Sequence, residues 1–81
     1  MKTFHLTIAH VAENLFDGEA LLVSLPGDEG VFEVLPEHEA FVSLLKTGTI
    51  HLKTADNQKR TFDITTTGIA EVSHNQATVL L

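Results

Sequence analysis

Five histidines are the side chains of this sequence best suited to chemistry, because imidazole can bind a metal ion or carry a proton near neutral pH. Histidine ligands of structural metal sites recur at short fixed spacings and are often joined by cysteines. The chain has no cysteine, and no two of its histidines stand two or four residues apart. We therefore expect no metal site. The histidines are His5, His10, His38, His51 and His74.

The densest group of metal-binding residue types is Glu37-His38-Glu39. Successive side chains of an extended segment point to opposite sides, so the two carboxylates would point away from the imidazole. An isolated motif of this kind is far more often a solvated loop than a set of ligands. The sequence predicts a polar surface loop here.

The sequence also lacks the motifs that are typical of nucleophilic catalysis and of phosphate binding. None of the three serines stands in a Gly-Xaa-Ser-Xaa-Gly turn, which holds a nucleophile at the end of a strand. The segment Gly27-Asp28-Glu29-Gly30 has too few glycines to wrap a phosphate, and no predicted helix follows it to present a positive end. Most acidic residues of the first half fall in turn-like segments, where solvated carboxylates are usual. We expect a protein that is not an enzyme and has no cofactor.

Net charge and chain length restrict the classes of partner that this protein could bind. The 81 residues include 11 acidic residues against five Lys and Arg, which gives a formal charge of −6. Binding to nucleic acid or to an anionic membrane surface needs clustered cations, which this chain does not have. No apolar run approaches the roughly 20 residues of a spanning helix, and residues 1–5 lack the apolar core of a secretory signal. We expect a soluble, single-domain protein over residues 1–81 that does not insert into a membrane.

Alternation of apolar and polar residues at every second position is the dominant pattern. Phe4, Leu6 and Ile8 alternate with other residue types, and the same period recurs at residues 50–53 and 62–65. This period is typical of strands that bury one face. Two apolar runs, at 20–25 and 40–45, are short and bounded by Gly or Pro, and we predict strands there as well. The predicted core contains Phe4, Leu6, Ile8, Ile50, Leu52, Phe62, Ile64 and Val79.

Turn signals separate these segments at the spacing of an all-β protein. Apolar residues between positions 11 and 22 have helical spacing, but Gly18 in the middle argues against a helix. The sequence therefore predicts an all-β fold in which about eight to ten short strands form two packed, mainly antiparallel sheets of a flattened β sandwich. The turn signals are Asp17-Gly18, Pro26-Gly27-Asp28, Pro36-Glu37, Thr47-Gly48, Asp56-Asn57 and His74-Asn75.

One segment resembles the signature of a known family. Residues 25–38 read LPGDEGVFEVLPEH. The N-terminal β-sandwich domain of the epsilon subunit of F-type ATP synthases reads approximately Pro-Gly-x-x-Gly-x-Phe-Gly-Val-Leu-Pro-Gly-His-Ala-Pro through the same segment. Residues 15–18, 46–50 and 68–72 are similar to that family's Leu-Phe-Ser-Gly, Lys-x-Gly-x-Ile and Gly-Ile-x-Glu-Val. In this order and spacing, the motifs make essentially the whole chain resemble this family.

The resemblance implies a ten-stranded β sandwich in the central stalk of the rotor. There the domain links the gamma subunit to the ring of c subunits and helps couple ion flow to ATP synthesis. It implies a non-catalytic subunit, peripheral on the cytoplasmic face of a bacterial inner membrane or its organellar equivalent. Its partners are then the gamma subunit and the c ring, and it has no cofactor.

Two contact surfaces follow from matching positions to the family. One loop faces the c ring, whose polar loops carry basic residues in most relatives, and two adjacent acids on a glycine-bounded turn suit such a contact. A second set of positions lies toward gamma. The residues on the c-ring side are Asp28, Glu29, Gly30 and Val31. The residues on the gamma side are His10, His38 and Ser43.

Four positions depart from the family pattern. Glu33 and Glu37 stand where the family usually has glycine, Ala40 where it has proline, and Thr67 where it has the first glycine of a pair. Glycine at such positions can serve a positive φ, so these departures bear on the loop over residues 36–40 and on part of the gamma contact. Family members commonly continue into a C-terminal helical hairpin that regulates ATP hydrolysis. The sequence stops before that hairpin, so the resemblance implies either a naturally short epsilon subunit or a trimmed chain.

Two other interpretations stay open at this point. One is a stand-alone β sandwich that binds a small ligand or a metal through its histidines. The other is a divergent copy of the family fold that serves as an adaptor for different partners, an interpretation that the four departures keep open. Binding to a gamma subunit from the same source would distinguish a rotor subunit from both alternatives.

Overall fold

The computed structural model describes residues 2–81, which form eight β-strands connected by turns and loops, with no helix in this part of the chain. The alternating segments and both apolar runs of the sequence contribute strands, so the all-β prediction is confirmed. The strands are β1 Phe4–His10, β2 Glu13–Gly27, β3 Gly30–Val34, β4 Phe41–Leu45, β5 Gly48–Thr54, β6 Lys59–Ile64, β7 Gly68–Ser73 and β8 Gln76–Leu80.

Strand β2 is the longest and belongs to both layers of the fold. Its first half pairs with β1. In its second half, Val23 lies opposite Val34 of β3 on one side and opposite Leu52 of β5 on the other. The register with β5 shifts between Ala20 and Leu22, and an irregularity of this kind bends a strand and increases its twist. The chain therefore passes from one layer to the other within a single strand.

The strands form a β sandwich, which confirms the predicted architecture. One layer has the order β2–β1–β8–β7–β4 and the other the order β3–β2–β5–β6. All pairings are antiparallel except that of β1 with β8, which is parallel. A single pair, Gly27 with Leu45, joins β4 to the end of β2 at one corner. The described chain has eight strands and not the ten implied by the resemblance, and its residues 13–27 form one continuous strand.

A single apolar core lies between the layers and receives side chains from every strand. Seven of the eight predicted core residues are buried, with at most 4% of their surface exposed. The exception is Phe62 of the edge strand β6, which is only half-buried. There the Arg60 guanidinium covers it, 5.1 Å from the centre of the ring. The period-two pattern therefore predicts which face is buried, and it fails only at a layer edge.

The predicted turn at Asp17-Gly18 is wrong. Both residues lie inside β2, where Asp17 is opposite Thr7 and Gly18 is opposite Leu6. The chain reverses instead at residues 11–12. Glycine weakens a strand without ending it. Pairing along the whole β1–β2 hairpin therefore outweighs the local turn preference of an Asp-Gly pair. The other turn signals fall at or beside strand ends.

Glu37 shows the structural meaning of one departure from the family pattern. Its φ is 64°, in the left-handed region that glycine adopts most easily. Two contacts hold it there: its N–H donates to Oδ1 of Asn75 at 2.7 Å, and its carboxylate lies 3.0 Å from Nζ of Lys2. Glu33 has no such conformation, because it lies within β3 opposite Ser24. The loop thus keeps a glycine-like backbone at Glu37.

Candidate protein-binding surface

The β2–β3 hairpin ends in a two-residue turn that places Asp28 and Glu29 in solvent. Gly27 and Gly30 are directly paired across the base of the turn. Gly30 has a φ of 137°, which side chains rarely permit, and a Cβ on Gly27 would lie 2.7 Å from the carbonyl oxygen of Gly30. The two glycines are therefore required by the shape of this turn.

Backbone hydrogen bonds fix the hairpin tip against β4. The Asp28 N–H donates to the carbonyl of Leu44, and the Lys46 N–H donates to the carbonyl of Pro26, both at 2.9 Å. Asp28 and Glu29 are exposed, and neither carboxylate takes part in an ion pair within residues 2–81. Two adjacent negative charges are thus held in place and accessible to a cationic partner.

A groove of about 650 Å³ lies between the hairpin tip and β4. Residues 27–32 line one side of it and residues 41–44 the other. Ser43 is part of this lining, and its Oγ donates to the carbonyl of Leu44 at 3.0 Å. The structure therefore brings together Ser43, predicted to face gamma, and the hairpin tip, predicted to face the c ring.

His38 lies beside the same groove. Phe32 and Phe41 both line it and pack edge to face, with ring centres 5.1 Å apart. The His38 ring lies 4.9 Å from that of Phe41, and its Nδ1 is 2.7 Å from the carbonyl oxygen of Glu39. These contacts fix the imidazole against the aromatic wall of the groove.

His10 lies apart from the other residues predicted to face gamma. It ends β1 and lines a separate cleft of about 200 Å³ beside the β6–β7 loop. The loop that carries His38 is tied to the opposite end of β1, because Asn75 accepts from the Glu37 N–H and donates to the carbonyl of Thr3. A strand of seven residues spans about 20 Å. The three predicted residues therefore do not form one cluster.

Val42 and Leu44 are surface residues that the sequence does not single out. They expose 61% and 63% of their surfaces on the outer face of the first layer. Leu44 lies opposite Ile69 of β7, and Ile69 lies opposite Leu80 of β8, so an apolar row crosses three strands. The run over residues 40–45 is apolar at nearly every position, and such a pattern does not indicate which face another element covers.

His5 joins two carboxylates on the outer face of the β1–β2 hairpin. Its Nε2 lies 2.6 Å from the carboxylate of Asp17, and its Nδ1 lies 3.0 Å from that of Glu19. The pKa of His5 is raised, first by the hydrogen bond to Glu19 and then by that to Asp17. The pKa of Glu19 is lowered, first by the hydroxyl of Thr3 and then by His5. The cluster links two strands and does not line the groove.

Metal ligands and membrane spans have no candidates in the described part of the chain. No group of three or more His, Asp or Glu side chains within residues 2–81 is placed to hold a metal ion. The same residues include no helix with the length and apolar character needed to cross a membrane.

Comparison with known protein families shows which family this chain belongs to. The family described as "ATP synthase, Delta/Epsilon chain, beta-sandwich domain" matches residues 3–81. The chain belongs to this family. Among its relatives, the ATP synthase epsilon chain of Nitratiruptor is 41% identical over 81 residues, which cover all of this chain and 62% of the relative. The epsilon chain of Protochlamydia amoebophila is 40% identical over 95% of this chain and 52% of its own. The chain thus spans only about half to three-fifths of these relatives.

Two of the solved structures with the same fold are of mitochondrial ATP synthases. A chain of the Euglena gracilis OSCP/F1/c-ring structure superposes with a TM-score of 0.90 at 21% identity, covering 99% of this chain and 51% of that one. A chain of the Tetrahymena thermophila central stalk/c-ring structure gives 0.75 at 17% identity, covering 94% and 60%. At these identities the similarity shows the fold alone. The epsilon-family assignment rests on the family match and the relatives above.

Proposed function

We propose that this chain is a non-catalytic subunit of the central stalk of an F-type ATP synthase. In this role it links the gamma subunit to the c ring and so helps couple ion flow to ATP synthesis at the cytoplasmic face of the membrane. The observation that carries the proposal is the family match over residues 3–81, together with relatives that are ATP synthase epsilon chains. The structures of similar fold belong to complexes that include a c ring.

The hairpin tip is the proposed contact with the c ring. Asp28 and Glu29 are solvated, adjacent and held in a fixed turn by Gly27 and Gly30. A fixed pair of charges loses little conformational entropy when a cationic loop binds to it. Val31, next to the turn, exposes 74% of its surface and supplies apolar area to the same contact.

The wall of the groove around His38 and Ser43 is the proposed contact with gamma. His38 packs on Phe41, and Ser43 lies two residues farther along β4. His10 is placed on a separate part of the surface, so we propose that any contact it makes with gamma is a second, distinct one. The tip and the groove wall adjoin, so we propose that the two partners bind side by side.

Reversing the charge of the tip tests the proposal. Each exposed charge of this kind contributes about 0.2–1 kcal/mol and acts mainly on the association rate. Changing Asp28→Lys and Glu29→Lys together should weaken rebinding to synthase depleted of its epsilon subunit at low salt. The deficit should shrink toward zero near 1 M salt, where the screening length is about 3 Å.

A matched control separates a local contact from the total charge. Asp56→Lys together with Gln58→Lys and Thr61→Lys makes the same change in net charge on exposed residues outside the groove and outside the cleft that His10 lines. This control should rebind nearly as the parent does. Equal rebinding of the tip variant and the parent at low ionic strength would show that the tip is not a contact. Failure of the parent itself to rebind would contradict the proposed function.

A further inference from the structure

The edge of β4 that faces away from β7 carries unused backbone hydrogen-bonding groups. In an antiparallel strand, the N–H and C=O of one residue point to the same side, and alternate residues share that side. The Leu44 carbonyl and the Lys46 N–H bond to the end of β2, so they point away from β7. Val42 precedes Leu44 by two residues and therefore shares its side of the strand, so the Val42 N–H and C=O point to this edge as well.

These groups open into the groove. Within residues 2–81, neither the Val42 N–H nor its carbonyl has a hydrogen-bond partner, and the Leu44 N–H has none either. The β2–β3 hairpin reaches β4 only at Asp28 and then turns away. Val42 and Leu44 both line the groove of about 650 Å³ on the β4 side. A row of two donors and one acceptor thus lies along one wall of a groove.

The β4 edge lacks the devices that usually prevent strand addition. Edge strands are commonly protected by charged residues, proline or bulges. The β6 edge carries Lys59 and Arg60, and β3 carries Glu33. Strand β4, which reads FVSLL, has no charge or proline, and its pairing with β7 has no register shift. Its Val42 and Leu44 side chains are more than half exposed. This edge is suited to pairing with another strand.

The charge at the end of the groove indicates what kind of strand would bind. Asp28 and Glu29 line one end of the groove, and no lysine or arginine is among the groove-lining residues of the described chain. An acidic end of this kind favours a segment with a basic residue at the matching position. The apolar lining from Phe32, Phe41 and Val42 favours apolar residues at alternate positions of the segment.

We propose that β4 binds an extended segment of a partner protein by strand addition. The segment forms backbone hydrogen bonds with Val42 and Leu44, packs apolar side chains along the groove and places a Lys or Arg against Asp28 and Glu29. This inference rests on the proposed function only in its expectation that a protein partner exists. The mode of binding follows from the open strand edge, whichever protein supplies the segment.

A synthetic peptide tests this mode of binding directly. The probe is an acetylated and amidated peptide of alternating Val and Thr that ends in two lysines, added at millimolar concentration to the 15N-labelled chain. The amide resonances of Val42 and Leu44 should shift downfield, and their hydrogen exchange should slow by about tenfold, as expected when free N–H groups become hydrogen-bonded. A peptide that ends in two glutamates should bind about threefold to tenfold more weakly at low salt.

Substitutions at Val42 separate backbone pairing from side-chain contact. Val42→Pro removes the outward N–H without removing any hydrogen bond of the free chain, and it should abolish peptide binding. Val42→Thr keeps the N–H and should bind within about threefold of the parent, since only side-chain apolarity changes. If proline prevents folding, a backbone ester that replaces the Val42 amide group serves as the second variant.

The outcomes are distinct from those of the rebinding test. Absence of shifts at Val42 and Leu44, or equal binding by Val42→Pro and Val42→Thr, would overturn strand addition even if the chain rebinds to the synthase. Peptide binding would support it even if rebinding fails. Pairing of β4 with a second copy of the chain, seen as a dimer by light scattering that the peptide does not dissociate, would also overturn it.

Discussion

At the scale of single residues, Val11 has a backbone conformation poorly suited to its side chain. Its φ is 53° and its side chain is 88% exposed, so no packing offsets the strain of a β-branched residue in this region. The left-handed conformation costs about 1–2 kcal/mol with a Cβ present, while glycine loses about 0.5–1 kcal/mol of chain entropy. We expect Val11→Gly to raise the free energy of unfolding by about 0.5–1 kcal/mol, measured by urea denaturation.

Val11→Ala is the matched control, because it removes the branch and keeps the Cβ. It should give a smaller gain than glycine. A loss of stability on substitution by glycine would show that Val11 contributes more through its side chain than its backbone costs.

His5 gives the fold a dependence on pH. Its pKa in the folded state is raised above the ordinary value of about 6.5, so protonated His5 stabilises the fold fully below that pH. The contribution disappears as the pH rises through the raised pKa. Because the side chain is 45% exposed and solvent screens it, the effect should be less than about 1 kcal/mol. Urea denaturation at pH 5.5 and pH 8 should show the parent losing more stability than His5→Gln.

An NMR titration of the His5 ring provides the direct measurement. Its midpoint should lie above 6.5 in the parent and should fall when Glu19→Gln removes the leading hydrogen-bond partner. An unshifted midpoint, or parallel pH profiles for the parent and His5→Gln, would contradict the assigned pairing.

At the scale of elements, Asn75 holds together two turns and the start of β1. His74 and Asn75 both have positive φ and form a two-residue turn of the type that favours Asn and Gly. The Asn75 side chain also accepts from the Glu37 N–H at 2.7 Å and donates to the Thr3 carbonyl at 2.9 Å. Asn75→Gly keeps the backbone conformation and removes both bonds. It should lower the free energy of unfolding by about 1–2 kcal/mol, since each bond contributes roughly 0.5–1.5 kcal/mol.

Asn75→Ala distinguishes the two contributions of this residue. Alanine removes the same hydrogen bonds but, unlike glycine, keeps a Cβ at φ 58°, where a Cβ is strained, so it should lose about 1 kcal/mol more than glycine. Thermal or urea denaturation of the two variants measures the difference. Equal losses would mean that the turn does not keep its positive φ values in the variants.

Local pattern predicts the strands of this fold well and its long-range contacts poorly. The alternation over Phe4, Leu6 and Ile8 identifies β1 and its buried face, because burial of one face imposes period two. The Asp-Gly pair inside β2 is mistaken for a turn, since its conformation is decided by pairing with β1 and not by residues nearby in sequence.

The groove could not be predicted for the same reason. Ser43 and Asp28 line the same groove only because the end of β2 contacts β4 at one corner of the sandwich. Along the chain, these two segments are separated by β3 and the β3–β4 loop. Family resemblance assigned the two residues to different partners, and it supplied no information on their distance. The partner assignments of the seven site residues stay predictions, to be tested by the rebinding and peptide experiments.

At the scale of the whole molecule, one core serves both layers, so we expect the layers to unfold together. Ile64 of β6 and Val79 of β8 belong to different layers and to the same buried cluster. Ile64→Asp would bury an unpaired carboxylate and should cost several kcal/mol, on the order of 3 kcal/mol or more. Hydrogen exchange should become faster in β8 as well as in β6.

His51→Ser is the control on the outer face of β5, where His51 is exposed. It should change the free energy of unfolding by about 0.5 kcal/mol or less. Similar losses for Ile64→Asp and His51→Ser would contradict the assignment of inner and outer faces. Loss of protection in β6 alone would contradict a shared core.

The continuity of β2 through both layers has a mechanical consequence. In a sandwich whose layers meet only through side chains, the layers can slide past each other by exchanging rotamers. Here the covalent chain runs from one layer into the other at residues 20–22, and hydrogen-bonded neighbours hold it on either side of that crossing. Sliding would require many of the backbone hydrogen bonds in these strand pairs to break at the same time. The domain should therefore deform little under shear and should transmit an applied torque between its ends with little internal distortion.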